Sequence, residues 1–435
     1  MNKNNSNDPV TIVIVGAGHR SLGYASYGLE RPEELEVVAV VEPNQLRRQK
    51  TAEIHDIPAE YCFESLEELL ELNEPIADAA INGTMDEIHI QTSIPLLEKG
   101  YNLLLEKPIS TNEDSLFKLL EAKKETGQKV MICHVLRYAP FYVEIKKRLA
   151  ENEIGKILNI QTAEHVSYHH MSISHVRGKW NNEEKCGSSM LMAKCCHDLD
   201  IITWLKSGIP PVKVNSMGSL LQFTPENRPE NAGTRCLVDC PIEEDCLYSA
   251  KKLHIDHPDR WSFYVWSFIE DIENPTLEDK IESLKTDNPH GRCAWRCDND
   301  VVDHQSVVIQ FEDGSTATHN MVGGTSKPGR KIHVIGTKGE IKGYMEDEKI
   351  TIIYPDPRPG CEYQEKKVEV NINTADYGDD HGGGDVRLVE DFIRVMRGEE
   401  PSISTTSLND SIYGHLIGFR ADTAMNKNKV MDINL

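Results

Sequence analysis

Short, mainly apolar runs separated by amphipathic stretches set the rhythm of the first third of the chain. Val10 to Val15 are six consecutive β-branched residues. Continuous rather than alternating apolarity suits a strand buried on both faces, as in a parallel sheet covered by helices. Similar runs recur at Glu36 to Glu42, Ile76 to Gly83, Tyr101 to Leu105 and Lys129 to His134. Helical patterns stand between them, up to about Glu30, through Leu66 to Leu70, to Lys99, and over Asn112 to Thr126. Strands alternating with helices of this length predict an α/β fold with a doubly wound parallel sheet.

After a predicted helix from Val143 to Asn152 the pattern changes. Ile157 to Val166, Ser306 to Phe311, Ser315 to His319, Lys331 to Ile335 and Ile350 to Tyr354 are alternating or β-branched, and Asp-Gly, Gly-Gly and Lys-Gly turn signals separate the later ones. They predict an antiparallel sheet. Two helices, Asp385 to Met396 and Thr405 to Met425, close the chain.

Length and composition narrow the classes. A chain of 435 residues exceeds what one core usually supports, so two domains are expected. A net charge of −23 opposes binding to a nucleic-acid backbone. No apolar run reaches the roughly 18 residues of a membrane span, and Met1 to Pro9 reads as a short disordered polar tail rather than an export signal. A cytoplasmic location follows as an expectation, and with it reduced thiols or metal ligands among the eleven cysteines.

The candidate chemistry starts where the first strand stops. Gly16 and Gly18 form a tight turn into a helix, and backbone N–H groups at such a turn attract a pyrophosphate. The third glycine of G-x-G-x-x-G is replaced by Ser21. Glu42 ends the second strand where a dinucleotide-binding unit places a carboxylate for the adenosine ribose, which favours NAD over NADP. Arg47 and Arg48 follow closely and would reverse that preference if one reached the ribose. Asn82, Gly83 and Thr84, then Glu106 and Lys107, then His134 and Arg137, stand at the carboxyl ends of later strands, where ligands of such sheets bind.

GAGHR at Gly16 to Arg20, Glu42, Asn82-Gly-Thr with His89 downstream, and Glu106-Lys-Pro together resemble the Gfo/Idh/MocA (glucose-fructose oxidoreductase and inositol dehydrogenase) superfamily. The resemblance spans nearly the whole chain. It implies an N-terminal Rossmann domain at residues 1–137. A C-terminal α/β domain at 138–435 follows, with a large open, mainly antiparallel sheet that binds substrate and often a second subunit. Gly16, Gly18, His19, Arg20, Glu42, Asn82, Gly83, Thr84, His89, Glu106, Lys107 and His134 are the implied cofactor contacts, and Lys107 touches nicotinamide and substrate. Family members carry Asp-x-x-x-His in the second half. This chain has Ala193-Lys-Cys-Cys-His197, without the aspartate. His197 is the expected base and Lys194, three residues before it, an expected partner on one helical face.

Two further clusters complete the reading. His165 to Trp180 is rich in histidine, and with Arg137 it offers His169, Arg177 and Trp180 to grip a sugar, with His381 as another pocket wall. A structural role or zinc binding by the histidines is the alternative. Cys236, Cys240, Cys246 and Cys293, with Cys297 as the doubtful fifth, concentrate in an acidic, Pro-rich insertion at about 224–304. Thiolates at such spacings bind structural zinc, and an iron–sulfur cluster uses the same ligands. The leading expectation is hydride transfer between NAD(P) and a secondary hydroxyl of a sugar, polyol or glycoside, in a homo-oligomer. A redox-neutral, NAD-dependent glycoside-cleaving enzyme and a sugar-sensing protein that has lost catalysis are the alternatives.

Overall fold

The computed structural model describes residues 8–257, 261–370 and 380–434; residues 1–7 of the expected polar tail lie outside them. The first sheet is six-stranded: β1 (Val10–Val15), β2 (Leu35–Val41), β3 (Cys62–Phe63), β4 (Ala79–Asn82), β5 (Asn102–Leu105) and β6 (Val130–Ile132). Its order is β3-β2-β1-β4-β5-β6, every pairing parallel. β1 therefore lies centrally, buried on both faces as its unbroken apolarity requires. The order reverses between β1 and β4, and that crevice is where ligands of open α/β sheets bind.

The second sheet holds nine strands: β7 (Ile157–Ser167), β8 (Pro211–Ser219), β9 (His304–Phe311), β10 (Thr316–Thr325), β11 (Gly329–Gly336), β12 (Glu340–Tyr344), β13 (Lys349–Pro355), β14 (Tyr363–Glu369) and β15 (Met431–Asp432). Pairing is antiparallel except between β7 and β10, which makes the sheet mixed. The helices Cys196–Leu205 and Leu408–Lys427 cover one face, and they approach so closely that a Cβ on Gly414 would lie 2.9 Å from the Asp200 nitrogen. The other face exposes Met217, Val308 and Val322.

The two halves interlock. The late helix Gly384–Arg397 returns to the first sheet, burying Leu388, Val389, Phe392 and Ile393 in the cluster that contains Ile12 and Ile14 of β1. The acidic, Cys-rich stretch runs between β8 and β9. Among its described residues the helices are short, Arg235 and Arg292 form an isolated β-bridge, and Val265 and Leu284 pack on Ile173 as a small separate core. Each such buried aliphatic side chain is worth about 2 kcal/mol, so this insertion does not rely on metal alone for an apolar centre.

Candidate active site

β1 stops at Val15 because Gly16 turns the chain with φ +82°. Its nitrogen donates to the Val41 carbonyl at 2.9 Å, and a Cβ there would stand 3.0 Å from both Gly83 O and Thr84 N. The turns after β1 and β4 thus meet backbone to backbone. Gly18 caps the helix His19–Ala25 with no side-chain cap bond, and a Cβ on it would meet nothing within 4 Å. Free first-turn N–H groups beside open space fit a pyrophosphate.

The groups around this turn brace one another. Glu42 is buried, and its two oxygens accept from Ala17 N at 2.8 Å and Asn44 N at 2.9 Å. Asn82 donates to Thr92 Oγ1 at 2.8 Å and Ser93 Oγ at 2.9 Å, while its Oδ1 accepts from Thr84 Oγ1 at 2.9 Å. His89 lies with Nδ1 2.7 Å from Pro108 O and Nε2 3.1 Å from Thr84 O, tying the loop after β4 to the loop after β5. Asn82 and His89 are therefore buried struts, and Gly83 and Thr84 form the surface they hold.

Glu106 and Lys107 follow β5. Glu106 Oε1 accepts from Tyr24 Oη at 2.6 Å and Arg20 Nε at 3.1 Å, and Oε2 accepts from Lys107 N at 2.8 Å. Burial alone would raise the Glu106 pKa, but Arg20 and Lys107 hold it below the usual value. Arg20 continues to Asp385, whose other oxygen lies 2.8 Å from His381 Nδ1. Asp385 is held down to about 2, burial being outweighed by His381 and Arg20. This chain of charges links the glycine-turn helix to the wall that carries His381.

Lys107 Nζ donates to the Ala193 carbonyl at 3.1 Å, at the position where the family's aspartate is missing. Burial opposes its charge, but Cys196, Glu106 and Asp86 raise its pKa above the usual lysine value. His197 moves the other way: burial, then Lys107, His134 and His381, push it well below the ordinary histidine range. Its Nδ1 has no hydrogen-bond partner among the described residues. A charged lysine and a neutral imidazole are thus the resting forms at neutral pH.

Lys194 departs from the expected geometry. The helix Met190–Ala193 ends at Lys194 and a new one starts at Cys196, so the three-residue spacing does not place Lys194 and His197 on one helical face. Lys194 instead reaches β7, 3.2 Å from Glu164, which also pairs with Arg330 of β11 at 2.9 Å. His134 is fully buried between His197 and His415, with ring centroids 5.8 and 5.5 Å away.

Three expected substrate contacts turn inward. Arg137 is 1% exposed and forks onto Asp200 at 2.7 and 2.6 Å, with a third bond to Thr405 O at 3.0 Å. Arg177 is spent on Arg292 O, Ser172 Oγ and Tyr248 O at 2.6–2.7 Å, stitching the insertion to the body. His169 is buried toward Tyr168 and His254 rather than toward Lys107. Trp180 remains at the site, its Nε1 3.3 Å from Asp86 Oδ2.

The sequence reading takes His170 and His175 only as members of the histidine-rich stretch and leaves out Trp261 and Tyr264. His170 stacks on Trp261 of the insertion at 4.1 Å, and His175 lies 6.3 Å from Trp180, which meets Tyr264 edge-on at 6.1 Å. Burial, then Lys194, push His170 well below the usual value, and burial, Lys194 and Lys107 bring His175 to about 3. Phe263 stacks flat on His19 at 4.4 Å and Glu270 pairs with Arg47. The insertion therefore roofs the crevice with Trp261, Phe263 and Tyr264. The spacing of aromatic residues was the available signal, but their partners lie too far along the chain for it to be read.

The expected metal ligands are partly assembled. The Arg235–Arg292 bridge sets Cys236 and Cys293 in adjacent strand-like segments, and burial pushes the Cys246 and Cys293 thiols up. A cavity of about 380 Å³ is lined by Cys236, Cys240, Glu243 and Glu244 among others. Among the described residues, however, the metal-capable group with donor atoms within 4.8 Å of one another is Cys195, Asp198 and His319. Arg330 already holds Asp198 there, at 3.1 Å.

A parallel sheet beside a second, mixed sheet, with Lys107 reaching Ala193 between them, is the architecture of a dinucleotide-binding enzyme. Residues 10–134 match the model of the oxidoreductase family's NAD-binding Rossmann fold, and residues 146–431 that of its C-terminal alpha/beta domain. The chain belongs to the Gfo/Idh/MocA oxidoreductase family and is an NAD-binding oxidoreductase of that type. It is 24% identical over 362 residues to the Bacillus subtilis protein YteT, which carries an oxidoreductase designation, covering 81% of this chain and 79% of that one. It is 22% identical over 193 residues to inositol 2-dehydrogenase of Corynebacterium glutamicum, 44% of this chain and 52% of that enzyme. A levoglucosan dehydrogenase solved with NADH and levoglucosan superposes with a TM-score of 0.68 at 15% identity, covering 98% of this chain and 100% of that one. No helix among the described residues is long and apolar enough to cross a membrane.

Proposed function

We propose that the chain transfers hydride between a nicotinamide dinucleotide, NAD in preference to NADP, and a secondary hydroxyl of a sugar, polyol or glycoside. The observation that carries this reading is the placement of Lys107, whose Nζ donates to the Ala193 carbonyl at 3.1 Å, four residues before the buried His197. The dinucleotide, when bound, supplies the hydride acceptor or donor. The Gly16 and Gly18 turn would hold its phosphates and Glu42 its ribose, with His19, Arg20, Gly83 and Thr84 lining the same crevice. The Lys107 ammonium stabilises negative charge developing on the substrate oxygen, and His197, neutral at rest, takes the hydroxyl proton. Trp180, Trp261 and Tyr264 pack on the C–H face of the sugar ring. Residues 1–137 act as the cofactor domain and 138–435 as the substrate and oligomerisation domain, in a cytoplasmic homo-oligomer. Cys236, Cys240, Cys246 and Cys293 hold structural zinc, supported by the bridge that aligns Cys236 with Cys293; purified protein free of zinc and iron by elemental analysis ends that part.

The roof over the glycine turn favours a second reading, in which the dinucleotide stays bound and a glycoside is cleaved without net redox change. A panel of sugars and glycosides, screened with NAD and NADP and read by NADH absorbance and product analysis, separates them. Net NADH formation supports the dehydrogenase; cleaved glycoside without NADH supports the second reading; neither product across the panel defeats both.

A further inference from the structure

The adenosine end of the crevice carries two arginines directly after Glu42, either of which would welcome a 2′-phosphate if its guanidinium were free. Neither is. Arg48 Nη1 donates to the Glu42 carbonyl at 2.5 Å and to the Pro43 carbonyl at 3.3 Å. Arg47, fixed in the first turn of the helix Gln45–Ile54 by Asn44, which accepts from its backbone nitrogen at 3.0 Å, points its fork at the insertion. Nε donates to Glu270 Oε2 at 2.9 Å and Nη2 to Glu270 Oε1 at 2.6 Å.

We propose that Glu270 is a cofactor-specificity residue, which excludes NADP by occupying the arginine fork that would otherwise bind its 2′-phosphate. The inference rests on the dinucleotide-binding reading and adds a determinant that lies 223 residues from Arg47 in the chain. A guanidinium offers paired, parallel N–H donors that suit a carboxylate and a phosphate equally well. Whichever acid holds the fork denies it to the other. Glu270 also adds a second carboxylate beside Arg47, whose charge Glu42 feels as well, so that an incoming dianionic phosphate meets an arginine fork already neutralised. An ion pair this exposed contributes little to stability, which argues against a purely structural purpose. The Phe263–His19 stack, 4.4 Å between centroids, anchors the insertion independently, so Glu270 is replaceable without releasing the roof.

The test is calorimetric titration of the full-length protein with NADH and NADPH, comparing wild type, Glu270→Gln, Arg47→Gln, the double variant and Phe263→Leu. Wild type is expected to prefer NADH. Glu270→Gln is expected to tighten NADPH about tenfold, leaving NADH within about threefold, and the double variant to lose that gain. Phe263→Leu, which loosens the roof without changing charge, is expected to shift both dinucleotides together. Glu270 has no specificity role if Glu270→Gln leaves NADPH affinity unchanged, if it shifts both dinucleotides equally, or if the gain survives loss of Arg47. A wild-type protein that binds neither dinucleotide removes the underlying reading, and this assignment with it.

Discussion

The Ser21 hydroxyl occupies the space that a side chain on Gly83 would need: a Cβ built on Gly83 would stand 2.0 Å from Ser21 Oγ. Ser21 is the residue at the third position of the glycine fingerprint, and it is fully buried. The close approach usually granted by that third glycine is provided here by a glycine on the facing loop, so the fingerprint is complementary rather than defective.

Gly83→Ala should therefore force Ser21 out of its place, lowering stability by about 1–3 kcal/mol and weakening NADH binding. Ser21→Ala in the same chain should restore both, because Ser21 Cβ is 3.4 Å from the added methyl. Thermal melts and NADH titration of the two variants check it; equal loss in the single and double variants contradicts the pairing.

Lys107→Met and His197→Ala should each reduce turnover by roughly 10²–10⁴ while leaving the fold in place. His197 is pushed below the ordinary histidine value, so it remains an unprotonated acceptor until the pH falls under about 6.5. The acid limb of kcat/KM should lie below that pH and be absent from the residual activity of His197→Ala. Lys107 is raised above its usual value and should contribute no basic limb below about pH 10.

Arg137 gives the opposite outcome. Its fork is consumed by Asp200, and Arg137→Met would strand that carboxylate in the interior at a cost of about 3–5 kcal/mol. Expressed protein should melt early or fail to fold, whereas a true substrate ligand would raise KM with little loss of stability. Denaturation curves beside Michaelis constants distinguish the two.

These contrasts mark where sequence stops being readable. β1, Glu42 and the Glu106-Lys107 pair were legible because unbroken apolar runs locate parallel strands, and polar residues just past them lie at the carboxyl rim. His170 and His175 were not, because Met171–Val176 winds as a wide i→i+5 turn that shifts which histidines face the site. Lys194 was misplaced because the helix breaks between it and His197. The inward arginines and the aromatic roof depend on partners such as Asp200 and Trp261, which no local pattern connects to them.

The buried histidines should make the fold acid-sensitive. Burial pushes His175, His290 and His415 each to about 3. An unfolded imidazole binds a proton near pH 6.5, whereas these rings stay neutral in the folded chain, so acid favours the unfolded state. Their contribution is full above pH 6.5 and is lost progressively as the pH falls toward 3. Melting temperatures should begin to fall below pH 6.5; a flat profile from pH 7 to 5 would leave only carboxylates as the acid-sensitive groups.

The aromatic roof yields the sharpest separation between binding and chemistry. Trp261 stacks on His170, and Tyr264 meets Trp180, and among the described residues the Lys107 ammonium donates to the Ala193 carbonyl rather than to either ring. If the roof packs on the substrate ring, Trp261→Ala and Tyr264→Ala remove uniform binding, which raises KM about tenfold while kcat changes little. If the roof serves mainly to exclude water, kcat falls instead, because the charge on Lys107 is then screened by solvent. Steady-state kinetics on one accepted sugar decides between these. A Trp261→Ala variant with unchanged KM and kcat would show that the insertion covers the crevice without acting on what it contains.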